Sequence, residues 1–304
     1  MSEFTTASCI QRAYERGLAI PAFNVPYLPM IKPVIEATAA CDAFSLVSTA
    51  RLEWVKFEAK GPREVAEEYF RWEQPKYVRL HLDHLPVIDE DNLRVNYETE
   101  LKMAVDAGCH SVMVDASRLP LEENIACTQK AVAIAHTADI PCEAELGAVM
   151  GHEAGPMPPY DELFESGRGF TQVEEAVRFV KESGCDWLSV AVGTVHGPIS
   201  AALKDKKKVT ARINLDHLEK LRDATGIPLV LHGGTGVARE YVLESFKRGI
   251  AKLNIAMEIR QAYEGALRDT GDVEKARAAT YDRVRWILEE QLGFAGQRAA
   301  ITGE

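Results

Sequence analysis

The stretch IPLVLHGGTGVAREYVLESFKRGIAKLNIA (227–256) contains one complete strand–helix–strand unit. The apolar runs at 227–234 and 250–256 have the length and composition of buried strands, and the first leads through a glycine-rich turn into a helical segment. Gly249 follows that segment, at the place where the C-terminus of a helix commonly carries glycine. Strands that alternate with helices in this way assemble into a parallel sheet.

The same alternation continues through the rest of the chain. Six further strand-like runs lie at 18–25, 44–49, 76–83, 111–116, 140–147 and 186–193. Eight strand–helix units predict an α/β fold, specifically a (β/α)8 TIM barrel. We expect a single domain over residues 1–304, with a mobile active-site loop at about 150–170 and a C-terminal helical extension at about 270–304.

Composition narrows the choice of partner and location. The 304 residues are 46% hydrophobic and 27% charged, with a formal net charge of −11, as in globular proteins. This charge argues against nucleic acid or a membrane surface as the main partner, although a small anion can still bind in a locally positive pocket. There is no apolar run of membrane-spanning length and no signal-peptide pattern, so the expected location is cytoplasmic. No cysteine pair has C-x-x-C spacing, which favours reduced, buried thiols.

Polar and ionisable side chains collect where the predicted strands end. In such a barrel the carboxyl ends of the strands surround the active site, and burying many polar groups without a shared site would be costly. Asn24 and Thr49, at the ends of the first two strands, are candidates for substrate binding. The others are Ser48, His81, Asp83, His84, Asp115, Ser117, Glu143, Glu145, His196, His232 and Asn254.

Three of the histidines fit a metal site. His84, His196 and His232 follow the third, sixth and seventh predicted strands, and a catalytic zinc uses three protein ligands while leaving one position open. Cobalt or iron can occupy similar ligands. Each histidine alone is more often structural, but the three together favour a metal. In an extended strand His81 shares a face with Asp83 rather than His84, so we expect it to support the site.

The turn HGGTG (232–236) is a candidate anion site. A glycine-rich turn between a strand and a helix exposes backbone N–H groups that bind phosphate or carboxylate. Barrel phosphate sites commonly use the loops after the seventh and eighth strands. An ordinary turn is the alternative interpretation, since glycine pairs are common.

Six motifs in a fixed order resemble those of the class II, zinc-dependent fructose- and tagatose-bisphosphate aldolases. They are HLDH (81–84), SVMVDASRLPLEENI (111–125), EAELG (143–147), GTVHG (193–197), LHGGTG (231–236) and KLNIAMEI (252–259). The resemblance extends over essentially the whole chain. It implies an enzyme that reversibly cleaves a ketose phosphate into a dihydroxyacetone-type product and an aldehyde.

The resemblance also implies roles for individual residues. Asp83 would donate and accept the proton of the hydroxyl beside the cleaved bond, and Glu153 in the loop would transfer a proton at the enediol carbon. Zn²⁺ would be held by His84, His196 and His232. Asp115 and Glu145 would form a second cation position, for which a monovalent cation is a further candidate. Phosphate would be bound by Gly197, Gly233, Gly234, Thr235 and Asn254. Likeness to the family and the long C-terminal segment suggest a homodimer or homotetramer.

Departures from the family pattern fall in the substrate-binding parts. Met257 replaces a common threonine, the second histidine–glycine motif continues as HGPIS (196–200), and Met150 and Ala154 replace a glycine and an aspartate. We therefore predict the same bond chemistry on a different sugar, either a ketose with one phosphate or a sugar acid whose carboxylate meets Arg51. Arg51 as an ordinary exposed residue is the alternative.

Two other functions are compatible with the sequence. One is a noncatalytic accessory subunit of an aldolase, although such a partner need not keep Asp83 and the three histidines. The other is a metal-dependent barrel lyase or epimerase that stabilises an enediolate without aldol cleavage.

Overall fold

The predicted barrel is present in the computed structural model, which describes residues 4–147, 160–194, 211–234 and 236–304. Within these residues, eight parallel strands form a closed barrel in which each strand pairs with the next and the last pairs with the first. Each strand lies inside one of the runs predicted from the sequence. The strands are β1 (Ile20–Asn24), β2 (Ser45–Thr49), β3 (Val78–Leu82), β4 (Ser111–Val114), β5 (Cys142–Leu146), β6 (Trp187–Val190), β7 (Leu229–Leu231) and β8 (Ile250–Ile255).

Helices surround the barrel and connect its strands. Those before β5 are α1 (Thr6–Arg16), α2 (Ile31–Ala40), α3 (Arg51–Val55), α4 (Pro62–Trp72), α5 (Tyr97–Asp106) and α6 (Leu121–Thr137). Those after β5 are α7 (Tyr160–Ser166), α8 (Val173–Ser183), α9 (Leu215–Thr225), α10 (Arg239–Lys247), α11 (Met257–Thr270), α12 (Val273–Trp286) and α13 (Arg298–Thr302). A turn of 3-10 helix precedes α2, and a turn of π-helix follows α12.

Local sequence sets the helix ends. At the start of α1, the Thr5 hydroxyl accepts a hydrogen bond from the Ser8 N–H, and the Ser8 hydroxyl accepts one from the Thr5 N–H. This reciprocal pair satisfies two amides that the helix leaves unpaired. Gly184 and Gly226 end α8 and α9 in the left-handed conformation, with φ of 73° and 67°. Only glycine adopts this conformation without steric cost.

The apolar core has two parts. The larger part lies between the outer faces of the strands and the surrounding helices. The smaller part lies at the N-terminal end of the barrel interior, where Ile20, Leu46 and Val230 pack with Cys9 of α1 and Ile301 of α13. This packing closes the end of the barrel opposite the candidate site.

Part of the predicted loop at 150–170 is helical. Residues 148–159 lie outside the described part of the chain, and α7 occupies 160–166. The hydroxyl of Tyr160 donates to the Gly193 carbonyl at 2.9 Å and accepts from the Arg212 N–H at 2.6 Å. These contacts attach α7 to residues that follow β6 in the chain, and the mobile active-site loop at about 150–170 stays a prediction.

All six cysteines are free and buried. Burial raises the pKa of Cys9, Cys109 and Cys185 to about 12, because a thiolate is poorly solvated in an apolar environment. The thiols therefore act as small apolar side chains, as the sequence predicts. No helix in the described part of the chain combines the length and apolarity needed to cross a membrane.

Candidate active site

The predicted site residues that the structure describes lie at the carboxyl ends of the strands. Asp83 and His84 directly follow β3, Asp115 directly follows β4, and His232 directly follows β7. One possible ligand atom from each of Asp83, His84 and His232 lies within 4.8 Å of the others. The same holds for His84, Asp115 and Glu145. The barrel thus brings together side chains that are up to 149 positions apart in sequence (His232 and Asp83).

Two of the three predicted metal-binding histidines form the centre of this group. The rings of His84 and His232 have centroids 4.3 Å apart. Their Nδ1 atoms approach the same Glu145 oxygen, Oε2, at 3.7 and 3.1 Å respectively. His84 Nδ1 also lies 3.4 Å from Asp115 Oδ2. Both imidazoles therefore present a nitrogen to one acidic pocket.

The carboxylates around His84 favour a positive charge in this pocket. Burial lowers the pKa of His84, but the carboxylates of Asp83 and Asp115 outweigh burial and raise it to about 10. Burial raises the pKa of Asp115, whereas His84 and the Ser117 N–H and hydroxyl outweigh that effect and lower it overall. Two imidazoles with neighbouring carboxylates are a donor set that zinc accepts. The described residues therefore fit the predicted metal.

Asp83 is held by several donors. Its Oδ2 accepts from Asn24 Nδ2 at 2.8 Å and from Asn254 Nδ2 at 3.0 Å, and its Oδ1 accepts from Asn254 Nδ2 at 2.9 Å. The Lys252 ammonium lies 3.3 Å from Oδ1. Burial raises the pKa of Asp83, but the positive charges of Lys252 and His84 outweigh it, so the pKa lies well below its ordinary value. Asp83 is therefore an ionised carboxylate with a fixed orientation.

Asn24 and Asn254 were predicted to bind substrate, and the structure places their amide nitrogens on Asp83. Their other amide atoms, both Oδ1, are buried with no hydrogen-bond partner among the described residues. Buried polar atoms are nearly always paired. These two oxygens are therefore acceptors that a substrate hydroxyl can fill.

Ser48 and Thr49 end β2, and both residues are buried. Leu46 packs in the barrel interior and Val47 in the outer core, so alternation along β2 directs Ser48 inward and Thr49 outward. Ser48 Oγ and Thr49 Oγ1 are both buried without a hydrogen-bond partner among the described residues. Ser48 is thus a further candidate for substrate contact, and the role predicted for Thr49 stays a prediction.

Lys252 was not predicted from the sequence, and it belongs to a buried ionic group beneath Asp83. Glu143 Oε2 lies 2.8 Å from Lys252 Nζ and accepts from Trp187 Nε1 at 2.6 Å, while Glu143 Oε1 lies 3.1 Å from His232 Nε2. Burial raises the pKa of Glu143, but Lys252 and His232 outweigh it and lower the value to about 2. His81 Nε2 lies 3.6 Å from Glu143 and 3.7 Å from Asp83, consistent with the supporting position predicted for it. The available signal was a lysine two positions before Asn254 in a strand whose other residues are apolar.

Arg51 and Glu53 begin the helix that follows β2. The Arg51 guanidinium contacts Glu100 at 3.1 Å and Asp89 at 3.3 Å, so protein carboxylates already neutralise it. This pairing removes the reason for assigning Arg51 to a substrate carboxylate. Glu53 is buried, accepts from the Ala50 N–H at 2.7 Å, and has its pKa raised by burial to about 8.

The candidate anion turn is only partly described. Gly233 has a φ of 72°, and a Cβ added to Gly234 would lie 2.8 Å from Leu253 Cδ1. The backbone here therefore requires small residues. Four predicted site residues lie outside the described part of the chain: Glu153, His196, Gly197 and Thr235.

Comparison with known proteins identifies the family. The profile of the family described as "Fructose-bisphosphate aldolase class-II" matches residues 4–297. This chain belongs to that family. It is therefore an aldolase, a lyase that acts on carbon–carbon bonds, as the resemblance of its motifs implies.

Individual relatives agree with this assignment. The fructose-bisphosphate aldolase of Streptococcus pyogenes serotype M1 is 32% identical over 298 residues, which cover 95% of this aldolase and 91% of the relative. The fructose-bisphosphate aldolase of Geobacillus stearothermophilus is 37% identical over 192 residues, or 63% of this chain and 58% of that enzyme. The crystal structure of the YdjI aldolase from Escherichia coli K12 superposes with a TM-score of 0.74 at 26% identity, covering 96% and 98% of the two chains.

Proposed function

We propose that this aldolase is a zinc-dependent enzyme that reversibly cleaves a ketose phosphate, or a related sugar acid, into a dihydroxyacetone-type product and an aldehyde. One observation carries the proposal. An ionised, oriented carboxylate, Asp83, lies in the same pocket as the paired imidazoles of His84 and His232. A base beside a metal-binding pair is the arrangement that retro-aldol cleavage requires.

The roles of the residues follow from the chemistry. Asp83 takes the proton from the hydroxyl beside the bond that breaks, a carbonyl forms at that carbon, and the electron pair of the broken bond passes to the ketose fragment. Protonation of that fragment completes cleavage, and Glu153 is the residue proposed to supply the proton. Zinc, when bound by His84, His196 and His232, acts as a Lewis acid that polarises the oxygens of the substrate.

Supporting contacts around the histidines favour metal binding. Glu143 faces Nε2 of His232, and a carboxylate on the second nitrogen fixes the orientation of a ligating imidazole. Asp115 and Glu145 face His84 and remain the proposed second cation position.

Substrate contacts are proposed from the unpaired oxygens in the pocket. The buried polar atoms without partners among the described residues are Asn24 Oδ1, Asn254 Oδ1, Ser48 Oγ and Thr49 Oγ1, which suits a polyhydroxylated ligand. Gly197, Gly233, Gly234 and Thr235 remain the proposed phosphate contacts. A homodimer or homotetramer, and a cytoplasmic location, stay predictions.

A cleavage assay tests the function. The purified protein is incubated with a panel of ketose monophosphates, ketose bisphosphates and keto-sugar acids, with and without a chelator, and the products are identified. We expect aldehyde release from at least one phosphorylated ketose or sugar acid, loss of that activity after chelation, and recovery on addition of Zn²⁺. Activity that survives exhaustive chelation would contradict the zinc dependence. An epimer in place of two fragments would contradict aldol cleavage.

A further inference from the structure

Lys252 places a positive charge inside the barrel, below the candidate active site. The residue is fully buried on β8. Its ammonium lies 2.8 Å from Glu143 Oε2 and 3.3 Å from Asp83 Oδ1. A buried ammonium is costly unless it is paired, and here one ammonium is shared between two carboxylates from different strands.

The contact with Lys252 completes the set of donors around Asp83. Asn24 and Asn254 both donate to Oδ2, whereas Oδ1 receives Asn254 and Lys252. A carboxylate has about four lone-pair sites. Donors on both oxygens fix the rotation of the carboxylate about its Cβ–Cγ bond. Lys252 is the charged member of this set of donors, so its hydrogen bond to Asp83 is charge-assisted.

Glu143 connects Lys252 to His232, one of the proposed metal ligands. Its Oε2 binds Lys252 and Trp187, and its Oε1 faces His232 Nε2 at 3.1 Å. Lys252 therefore lies between the proposed base and the carboxylate that orients a proposed metal ligand. A substitution of Lys252 should therefore alter the distance between the Asp83 carboxylate and the His232 imidazole.

We propose that Lys252 is a positioning residue, whose ammonium, anchored by Glu143, holds the Asp83 carboxylate in the orientation needed for proton transfer beside the His84–His232 pair. This inference rests on the proposed aldolase function. It adds that cleavage requires the Asp83 carboxylate to be correctly oriented, in addition to a bound metal. Displacing a reacting group by about 1 Å can lower the rate about 100-fold.

The test compares a single and a double substitution. Lys252→Met removes the ammonium that the two buried carboxylates share, and losing one partner of a buried ion pair is strongly destabilising. Lys252→Met combined with Glu143→Gln removes both charges, and replacing a whole buried ion pair is often neutral. The exposed Lys247→Met is the matched control, since Lys247 lies on α10 and pairs only with Glu244 among the described residues. Thermal unfolding shows which proteins are folded.

Kinetics and metal binding then separate positioning from structure. We expect the folded double variant, saturated with Zn²⁺, to lose about 100-fold in kcat while KM changes by less than about 3-fold. Zn²⁺ affinity, measured by calorimetry on metal-free protein, should fall by no more than about 10–100-fold because only a supporting contact of His232 is altered. Lys247→Met should match the unmodified protein in each measurement.

Several results would overturn the proposal. One is a folded double variant whose kcat stays within about 3-fold of the unmodified protein when saturated with Zn²⁺. Failure of the double variant to fold would assign Lys252 a structural role instead. If the unmodified protein cleaves nothing in the panel, the proposed function fails separately. A crystal structure of the double variant then decides the positioning claim, which is refuted if Asp83 keeps the same hydrogen bonds to Asn24 and Asn254.

Discussion

Replacement of Glu53 by glutamine should remove a pH dependence from the stability of the fold. Glu53 is buried, and its pKa is raised from 4.5 to about 8, chiefly because burial disfavours the charged carboxylate. Between these two values the native protein retains a proton that the unfolded chain releases. The free energy of unfolding therefore falls as pH rises, and the loss is complete once the pH exceeds the folded-state pKa.

The size of the effect follows from the shift. Where the native state binds nearly one extra proton, the free energy of unfolding falls by about 1.4 kcal/mol per pH unit. From about pH 5.5 to about pH 7.5 the contribution of Glu53 amounts to about 2.5 kcal/mol. Glutamine keeps a carbonyl oxygen for the Ala50 N–H and has no charge to bury. The free energy of unfolding of the variant, minus that of the unmodified protein, should therefore increase by about 2.5 kcal/mol from the lower to the higher pH.

Urea unfolding measured across this pH interval provides the assay. Both proteins are examined with chelator present, so that metal charge does not contribute. The raised pKa values of His84 and His232 also make stability depend on pH, but they are common to both proteins and largely cancel in the difference. Glu67→Gln, an exposed residue on α4, is the control. A difference between Glu53→Gln and the unmodified protein that stays constant with pH, or changes in the opposite direction, would refute the reasoning.

Three further predictions concern the pocket and its rim. Asp83→Asn should keep its zinc content and lose about 100- to 10,000-fold in kcat, because a positioned base contributes that much; metal analysis with steady-state kinetics checks this, and a near-normal kcat would move the proton-transfer role elsewhere. His84→Ala should lower Zn²⁺ affinity by more than the roughly 10–100-fold that loss of a supporting contact costs, as measured by calorimetry; unchanged affinity would exclude His84 as a ligand. Arg51→Ala should destabilise the fold by about 1 kcal/mol through lost pairing with Asp89 and Glu100 and leave KM unchanged for sugar-acid substrates; a large rise in KM would restore Arg51 as a substrate contact.

The sequence predicted the barrel because each strand is a short apolar run bounded by polar residues or glycine. It also predicted that Asp83, His84 and His232 would converge, since residues that follow parallel strands meet at one end of a barrel. These predictions depend on position along the chain and on topology. Neither requires knowledge of how individual side chains turn.

The remaining features depend on side-chain direction inside a closed barrel. Both faces of β2 are buried, as in parallel sheets generally, so the pattern of apolar residues does not show which of Ser48 and Thr49 faces the barrel interior. The pairing of Lys252 with Glu143 joins β8 to β5, which are not neighbours in the barrel. Its prediction requires the packing of the barrel interior. The sequence predicts that the amides of Asn24 and Asn254 lie near the site, but it does not predict that they donate hydrogen bonds to Asp83.

The buried cysteines allow local opening of the barrel to be measured by thiol alkylation. They lie in different elements along the chain: Cys9 is on α1, Cys127 is on α6, Cys142 is on β5 and Cys185 precedes β6 by two residues. A thiol-alkylating reagent can reach each one only when the segment covering it opens, and segments of a native protein open with different free energies. The order in which mass spectrometry finds the cysteines alkylated would therefore rank the segments around the barrel by local stability, without any introduced label.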